Sequence, residues 1–181
     1  RFARASAAFA GKVVERGAVA FLPIDTTRFH TMAWSGGLFT RETADIVDHK
    51  AKDPAFRDKA MVLVMHHPPF HPVRAIKWID GLRGAANVLD LLARHPRLGL
   101  LHGHLHRIFN HLLATSSAVG AVLRGEPLLR KAEVDGAGTR LFGAPATCEA
   151  GDPVDARGKG AGLRLYDVRD GALVACPIPA A

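Results

Sequence analysis

Apolar runs in this chain are short, and the clearest of them stop abruptly at a polar residue. Ala18 to Ile24 is apolar between Gly17 and Asp25 and predicts a buried strand. Asp25 to Gly37, rich in Thr, Ser and Gly, predicts a loop. Thr40 is an N-cap for a helix from Arg41 to Lys52, with Ile46 and Val47 pointing inward and Pro54 ending it. Ala60 to Met65 is almost wholly apolar, the pattern of a strand buried on both faces. A prolonged loop from His67 to Arg83 follows, with Pro68, Pro69, Pro72 and Gly81. Ala85 to Arg94 is the second helix: Val88, Leu91 and Leu92 share a face, and Pro96 stops it. Leu98 to Leu101 is the third strand. Strand, helix and strand in that order predict an α/β sheet with a right-handed crossover.

Beyond His106 the pattern changes. Ile108 to Ala114 predicts a strand, and residues 115–138 an insertion or mobile loop. Arg140 to Ala146 and Leu163 to Val168 predict strands, the latter turned by Asp170-Gly171 into a hairpin with Ala172 to Cys176. The loop Gly151 to Gly162 lies between them. At 181 residues the chain is about one domain.

Composition narrows the classes. The apolar fraction is 48%, yet no apolar run approaches the ~18 residues of a membrane span. Cys148 and Cys176 make no disulfide framework, so a reducing cytoplasm is expected. The net charge of +7 is spread along the chain without a Lys/Arg block, which argues against a nucleic-acid partner. The N-terminus, Arg1-Phe2-Ala3-Arg4, has neither an initiator Met nor a signal sequence, and is expected to lie within a longer gene product.

The chemistry concentrates in histidine. Eight of the ten histidines fall between His66 and His111. Val62-Leu63-Val64-Met65 ends at His66-His67-Pro68-Pro69, and Leu100-Leu101 ends at His102-Gly103-His104-Leu105-His106. On an extended segment, His104 and His106 point the same way. Gly103 is expected to permit a close backbone path. A βαβ connection brings the end of the His66 strand beside them. Neutral imidazole is a ligand for Zn, Fe, Mn and related ions, which makes His66, His104 and His106 candidate metal ligands. His67 and His102 read equally as supporting or structural residues, and His30, His49, His71, His95 and His111 as ordinary structural ones.

Met65-His66-His67-Pro68-Pro69 followed by His102-Gly103-His104-Leu105-His106-Arg107 resembles the C-terminal half of the calcineurin-like metallophosphoesterases. It is most similar to their bacterial cyclic-nucleotide and glycerophosphodiester phosphodiesterase branch. The resemblance runs from about Val19 to Val168. It implies a two-sheet sandwich flanked by helices, here truncated at the N-terminus, with residues 1–181 as the C-terminal portion of one domain. It implies two transition-metal ions (Mn, Fe or Zn), with His66 and His104 on one and His106 on the other. It also implies a small phosphoester as substrate, and His67, as a catalytic residue, facing that substrate or supporting the ligands. The family's Asp-x-His, Gly-Asp-x-x-Asp and Asn-His-Asp/Glu motifs do not occur ahead of His66, so the chain alone is expected to hydrolyse poorly.

Other readings of the same residues stay open. One is a degenerate domain that binds a metal or a partner without turnover. Another is a mononuclear zinc hydrolase with three histidines on one ion. The loop from His67 to Arg83, with Arg74, Lys77, Trp78 and Arg83, reads either as a substrate-side wall or as a solvated basic loop.

Overall fold

In the computed structural model the described residues are 11–27, 34–71, 74–106, 109–114, 129–131, 139–143 and 165–176. The elements in chain order are β1 (Val14–Arg16), β2 (Val19–Ile24), β3 (Gly37–Leu38), α1 (Arg41–Ala51), β4 (Ala60–Met65), α2 (Lys77–Asp80), β5 (Leu82–Arg83), α3 (Ala85–Arg94), β6 (Gly99–His102), β7 (Phe109–Leu113), β8 (Leu129–Lys131), β9 (Arg140–Gly143), β10 (Tyr166–Arg169) and β11 (Ala172–Ala175). Single 3-10 turns stand at Pro54–Phe56 and Arg74–Ile76.

A mixed seven-stranded sheet runs in the order β1-β2-β4-β6-β9-β7-β8. Its centre, β2-β4-β6-β9, is parallel, and β1 and β7 pair antiparallel with their neighbours. The period-2 rule sorts the strand residues to two faces. Met61, Leu63, Met65, Leu100 and Leu141 pack with Ala44 and Val47 of α1 and with Val88, Leu91 and Leu92 of α3. Val62, Phe142, Val64 and Leu101 pack instead with Leu173, Tyr166 and Val168 of the β10–β11 hairpin. The sheet is therefore covered by helices on one face and by the hairpin on the other. Val88, Leu91 and Leu92 are completely buried, each worth about 1.5–3 kcal/mol relative to exposure.

Thr40 caps α1 as expected, its hydroxyl accepting from the Thr43 N–H at 3.0 Å. The buried face of α1 is Ala44 and Val47, however, and Ile46 is 49% exposed. Positions 44 and 47 are one turn apart and look inward; position 46 is rotated away from them. The hairpin turn forms at Asp170 (φ 52) and Gly171 (φ 71), both left-handed as the tight primed turn requires.

Three expectations are corrected, and one strand, β1, is new. β1 had no signature, since a three-residue edge strand shows no period. The segment from His67 to Arg83 contains α2 and β5, and β5 pairs in parallel with β3. The third strand is Gly99–His102, one residue later than the apolar run suggested, which carries His102 into the sheet. Residues 115–138 include β8, hydrogen-bonded to β7; the rest of that stretch lies outside the described residues, as do Ile108 and residues 144–146, 151–162 and 163–164. No helix among the described residues is long and apolar enough to cross a membrane.

Candidate functional site

Register brings the histidines together. Ile24 pairs with Met65, and Met65 with His102, so three parallel strands end at one level. The backbone N–H of Gly103 donates to the carbonyl of His66 at 3.1 Å, extending the ladder one residue past β6. The chain then releases Thr26, His66, His67 and His104 at the same edge of the sheet.

There His66 Nε2 lies 3.2 Å from His104 Nδ1. Nitrogens of His66, His67 and His104 all lie within 4.8 Å of one another. Nε2 of His104 is 3.0 Å from both the backbone oxygen and Oδ1 of Asp80. Both are acceptors, so Nε2 carries the proton and Nδ1 presents its lone pair toward His66. A histidine whose far N–H is held by a carboxylate or carbonyl is the usual arrangement behind a metal ligand. Ser35 Oγ donates to the Asp80 carboxylate, and His71 Nε2 lies 3.2 Å from Asp80 Oδ2. Burial pushes the Asp80 carboxyl up, but the Ser35 hydrogen bond, the nearby His104 and the contact with His71 outweigh it. The net shift is downward.

His67 is fully buried. Its Nε2 donates to the Ser35 carbonyl at 2.7 Å, and its Nδ1 accepts from the Thr26 hydroxyl at 2.8 Å. Both ring nitrogens are thus engaged. The His67 ring lies against that of His104, tilted by 46° with ring centroids 4.5 Å apart.

The backbone at the second motif differs from the extended reading. β6 ends at His102, and His104 (φ 61) and His106 (φ 49) are both left-handed. Leu105 N–H meets the Gly103 carbonyl at 2.7 Å in the same tight turn. For non-glycine residues this conformation costs roughly 1–2 kcal/mol each, and it collects at functional sites. His104 and His106 therefore do not project in parallel. His104 joins His66 and His67, whereas His106 is exposed and outside that group.

The glycine expectation is also corrected. A Cβ on Gly103 would meet only His66 Nδ1 at 3.6 Å, an ordinary contact. The intolerant glycine is Gly37, where a Cβ would fall 2.6 Å from His67 Cγ and 2.8 Å from the Thr26 oxygen. Gly36 is similar, with a Cβ 2.8 Å from the Ile79 oxygen.

His102 sits in the sheet among Phe70 and Phe109, with ring centroids at 5.3 and 5.9 Å. Burial lowers its pKa to about 4; the Gly103 carbonyl opposes this, and the His111, His104 and His66 charges add to it. It is a neutral core residue. His95 ties α3 to α1 through Asp48 at 2.8 Å, a structural role. His71, treated as ordinary by sequence, instead supports Asp80. Thr26, Ser35 and Asp80 were not singled out. The Gly36-Gly37 doublet was the one local sign that chain passes closely there.

No protein-family model matches the sequence, and no curated protein matches it.

Proposed function

We propose that the chain binds a divalent transition metal through His66 Nε2 and His104 Nδ1 and that its chemistry is phosphoester hydrolysis of the metallophosphoesterase type. The observation that carries this reading is the 3.2 Å separation of those two nitrogens, with Asp80 behind His104. Nitrogens bound at ~2.0–2.1 Å lie ~2.9–3.4 Å apart for angles between a right angle and a tetrahedron, so the donor pair fits one ion. When bound, such an ion polarises a phosphoryl oxygen and lowers the pKa of water. Asp80 fixes the tautomer of His104. His67, engaged by Thr26 and Ser35, acts in this reading as a positioning residue beneath His104 and does not touch substrate. The resemblance assigns His106 to a second ion.

A second reading is metal or partner binding without turnover. It is favoured by one sequence observation: the 181 residues contain no Asp-x-His and no Asn-His followed by an acid, the motifs the resemblance uses for its remaining ligands. Turnover is expected to be slow for that reason, and metal binding is the first readout. Co(II) titration, followed by visible absorption, should show a site lost in His66→Ala and in His104→Ala but kept in His95→Ala. Absence of that pattern overturns the metal reading. Mn(II)-dependent cleavage of bis(p-nitrophenyl) phosphate, abolished by His104→Ala, favours hydrolysis. Binding with no cleavage favours the second reading.

A further inference from the structure

The chain's two tryptophans are close in sequence to residues that contact the histidines: Trp34 precedes Ser35, and Trp78 is two residues before Asp80. Trp34 and Trp78 meet edge to face, with ring centroids 5.1 Å apart and planes at 79°. They are 36% and 63% exposed, so each leaves much of its indole in water. The Arg83 guanidinium lies over the Trp34 ring at 5.5 Å, within cation–π range.

The trio is tied to the histidines through short covalent and hydrogen-bonded paths. Trp34 precedes Ser35, whose carbonyl accepts from His67 and whose hydroxyl donates to Asp80. Trp78 is on α2, whose last residue is Asp80, the partner of His104. Leu38 pairs with Arg83, and Gly37 N–H donates to the Gly81 carbonyl at 3.1 Å, which locks the two segments together. The segments that carry the aromatic pair are therefore tied by the bonds that engage His67 and His104.

We propose that Trp34, Trp78 and Arg83 form a recognition platform for a planar aromatic group carried by the phosphoester. The inference rests on the phosphoesterase reading and narrows it to esters bearing a nucleobase or an aryl ring. Indole faces stack on such rings irrespective of sequence or substituent, and the guanidinium adds both a planar face and a charge suited to phosphate. Exposed indoles in contact, on segments that also supply Ser35 and Asp80, are not what a solvated loop needs. Aliphatic phosphoesters gain nothing from them.

Because the platform contains every tryptophan, indole emission reports on it alone. The protein is titrated with adenosine 5′-monophosphate, phenyl phosphate and glycerol 3-phosphate, with and without Co(II). Adenosine monophosphate or phenyl phosphate should quench saturably, and glycerol 3-phosphate should not. The tighter of the two distinguishes a base from a simple aryl group. Trp78→Ala should weaken the aromatic ligand about tenfold or more while leaving Co(II) binding unchanged. Equal quenching by glycerol 3-phosphate, no quenching at all, or emission that shifts with protein concentration alone overturns the platform. Co(II) binding lost in His104→Ala, without aromatic quenching, overturns the platform and leaves the metal reading standing. Quenching that Trp78→Ala removes, without Co(II) binding, keeps an aromatic site and overturns the phosphoesterase reading it was joined to.

Discussion

Nε2 of His66 and Nδ1 of His104 stand 3.2 Å apart although 38 positions separate them in the chain. The pairing of Met65 with His102 places both residues one step beyond the same row of the sheet. Asp80 then turns His104 toward His66 by occupying its other nitrogen. The contact is a hydrogen bond between two neutral rings and, in the proposed site, a ligand pair; exchanging one for the other requires the proton on His66 Nε2 to move to that ring's Nδ1.

Replacing His104 should separate binding from folding. In His104→Gly the left-handed strain is relieved by roughly 1 kcal/mol, offsetting about as much from the lost hydrogen bonds. The melting temperature should stay within a few degrees, whereas Co(II) affinity should fall beyond the roughly 10–100-fold that loss of a supporting partner costs. His95→Ala should show the reverse, a loss of stability with Co(II) affinity intact. Similar Co(II) loss in both variants would contradict the assignment.

Asp80 should act on both affinity and acid stability. Asp80→Asn should weaken Co(II) binding by roughly 10-fold, the low end for a supporting partner because the backbone oxygen of residue 80 still accepts from His104. The folded-state pKa of Asp80 is depressed, so its contribution is present above the unfolded value of about 3.9 and fades as pH falls through the folded one. Urea unfolding at pH 7 and pH 3 should show a smaller acid loss in Asp80→Asn than in the parent. An unchanged acid loss would mean that Asp80 is not stabilised in the fold.

The parallel core was legible because β4 and α3 carry strong patterns: a continuous apolar run in one, and Val88, Leu91 and Leu92 on one face of the other. His66 and His104 were legible because each follows such a run. Asp80 was not, since it joins the site through tertiary contacts from a four-residue helix with no period of its own. The left-handed turn at His104 was hidden for a related reason. An isolated His-x-His reads as extended, and it is the bonds to His66 and Asp80, brought in by the fold, that hold the ring in its observed conformation. β3 and β5, two residues each, are equally below the reach of any pattern.

Gly37 and Gly103 should respond differently to the same substitution. Gly37→Ala puts a methyl group into His67 and the Thr26 backbone, neither of which is free to retreat from a fully buried position. Overpacking of this kind costs about 1–3 kcal/mol and should also reduce Co(II) affinity by disturbing the Ser35–Asp80 support. Gly103→Ala meets only one ring atom at 3.6 Å and should be nearly silent. Chemical denaturation of both variants tests this, and equal destabilisation would be the contrary result.

His102 should make the protein acid-sensitive below neutrality. Burial holds its folded pKa near 4, against about 6.5 in the unfolded chain. Between those values the unfolded chain binds a proton that the folded protein refuses, so stability falls as pH drops from about 6.5 to 4 and levels off below. One such group contributes a slope approaching 1.4 kcal/mol per pH unit, about 3 kcal/mol over the window. His111 is pushed the same way by burial and adds to the slope. In His102→Leu the ring is replaced by an apolar group among Phe70 and Phe109, and Nε2, which has no hydrogen-bond partner among the described residues, is removed. That variant should lose little stability at pH 7.5 and should show a slope smaller by about one proton, with the His111 contribution remaining. Urea midpoints from pH 7.5 to 4 measure it, and an identical slope in the parent and His102→Leu would show that His102 takes up its proton without unfolding.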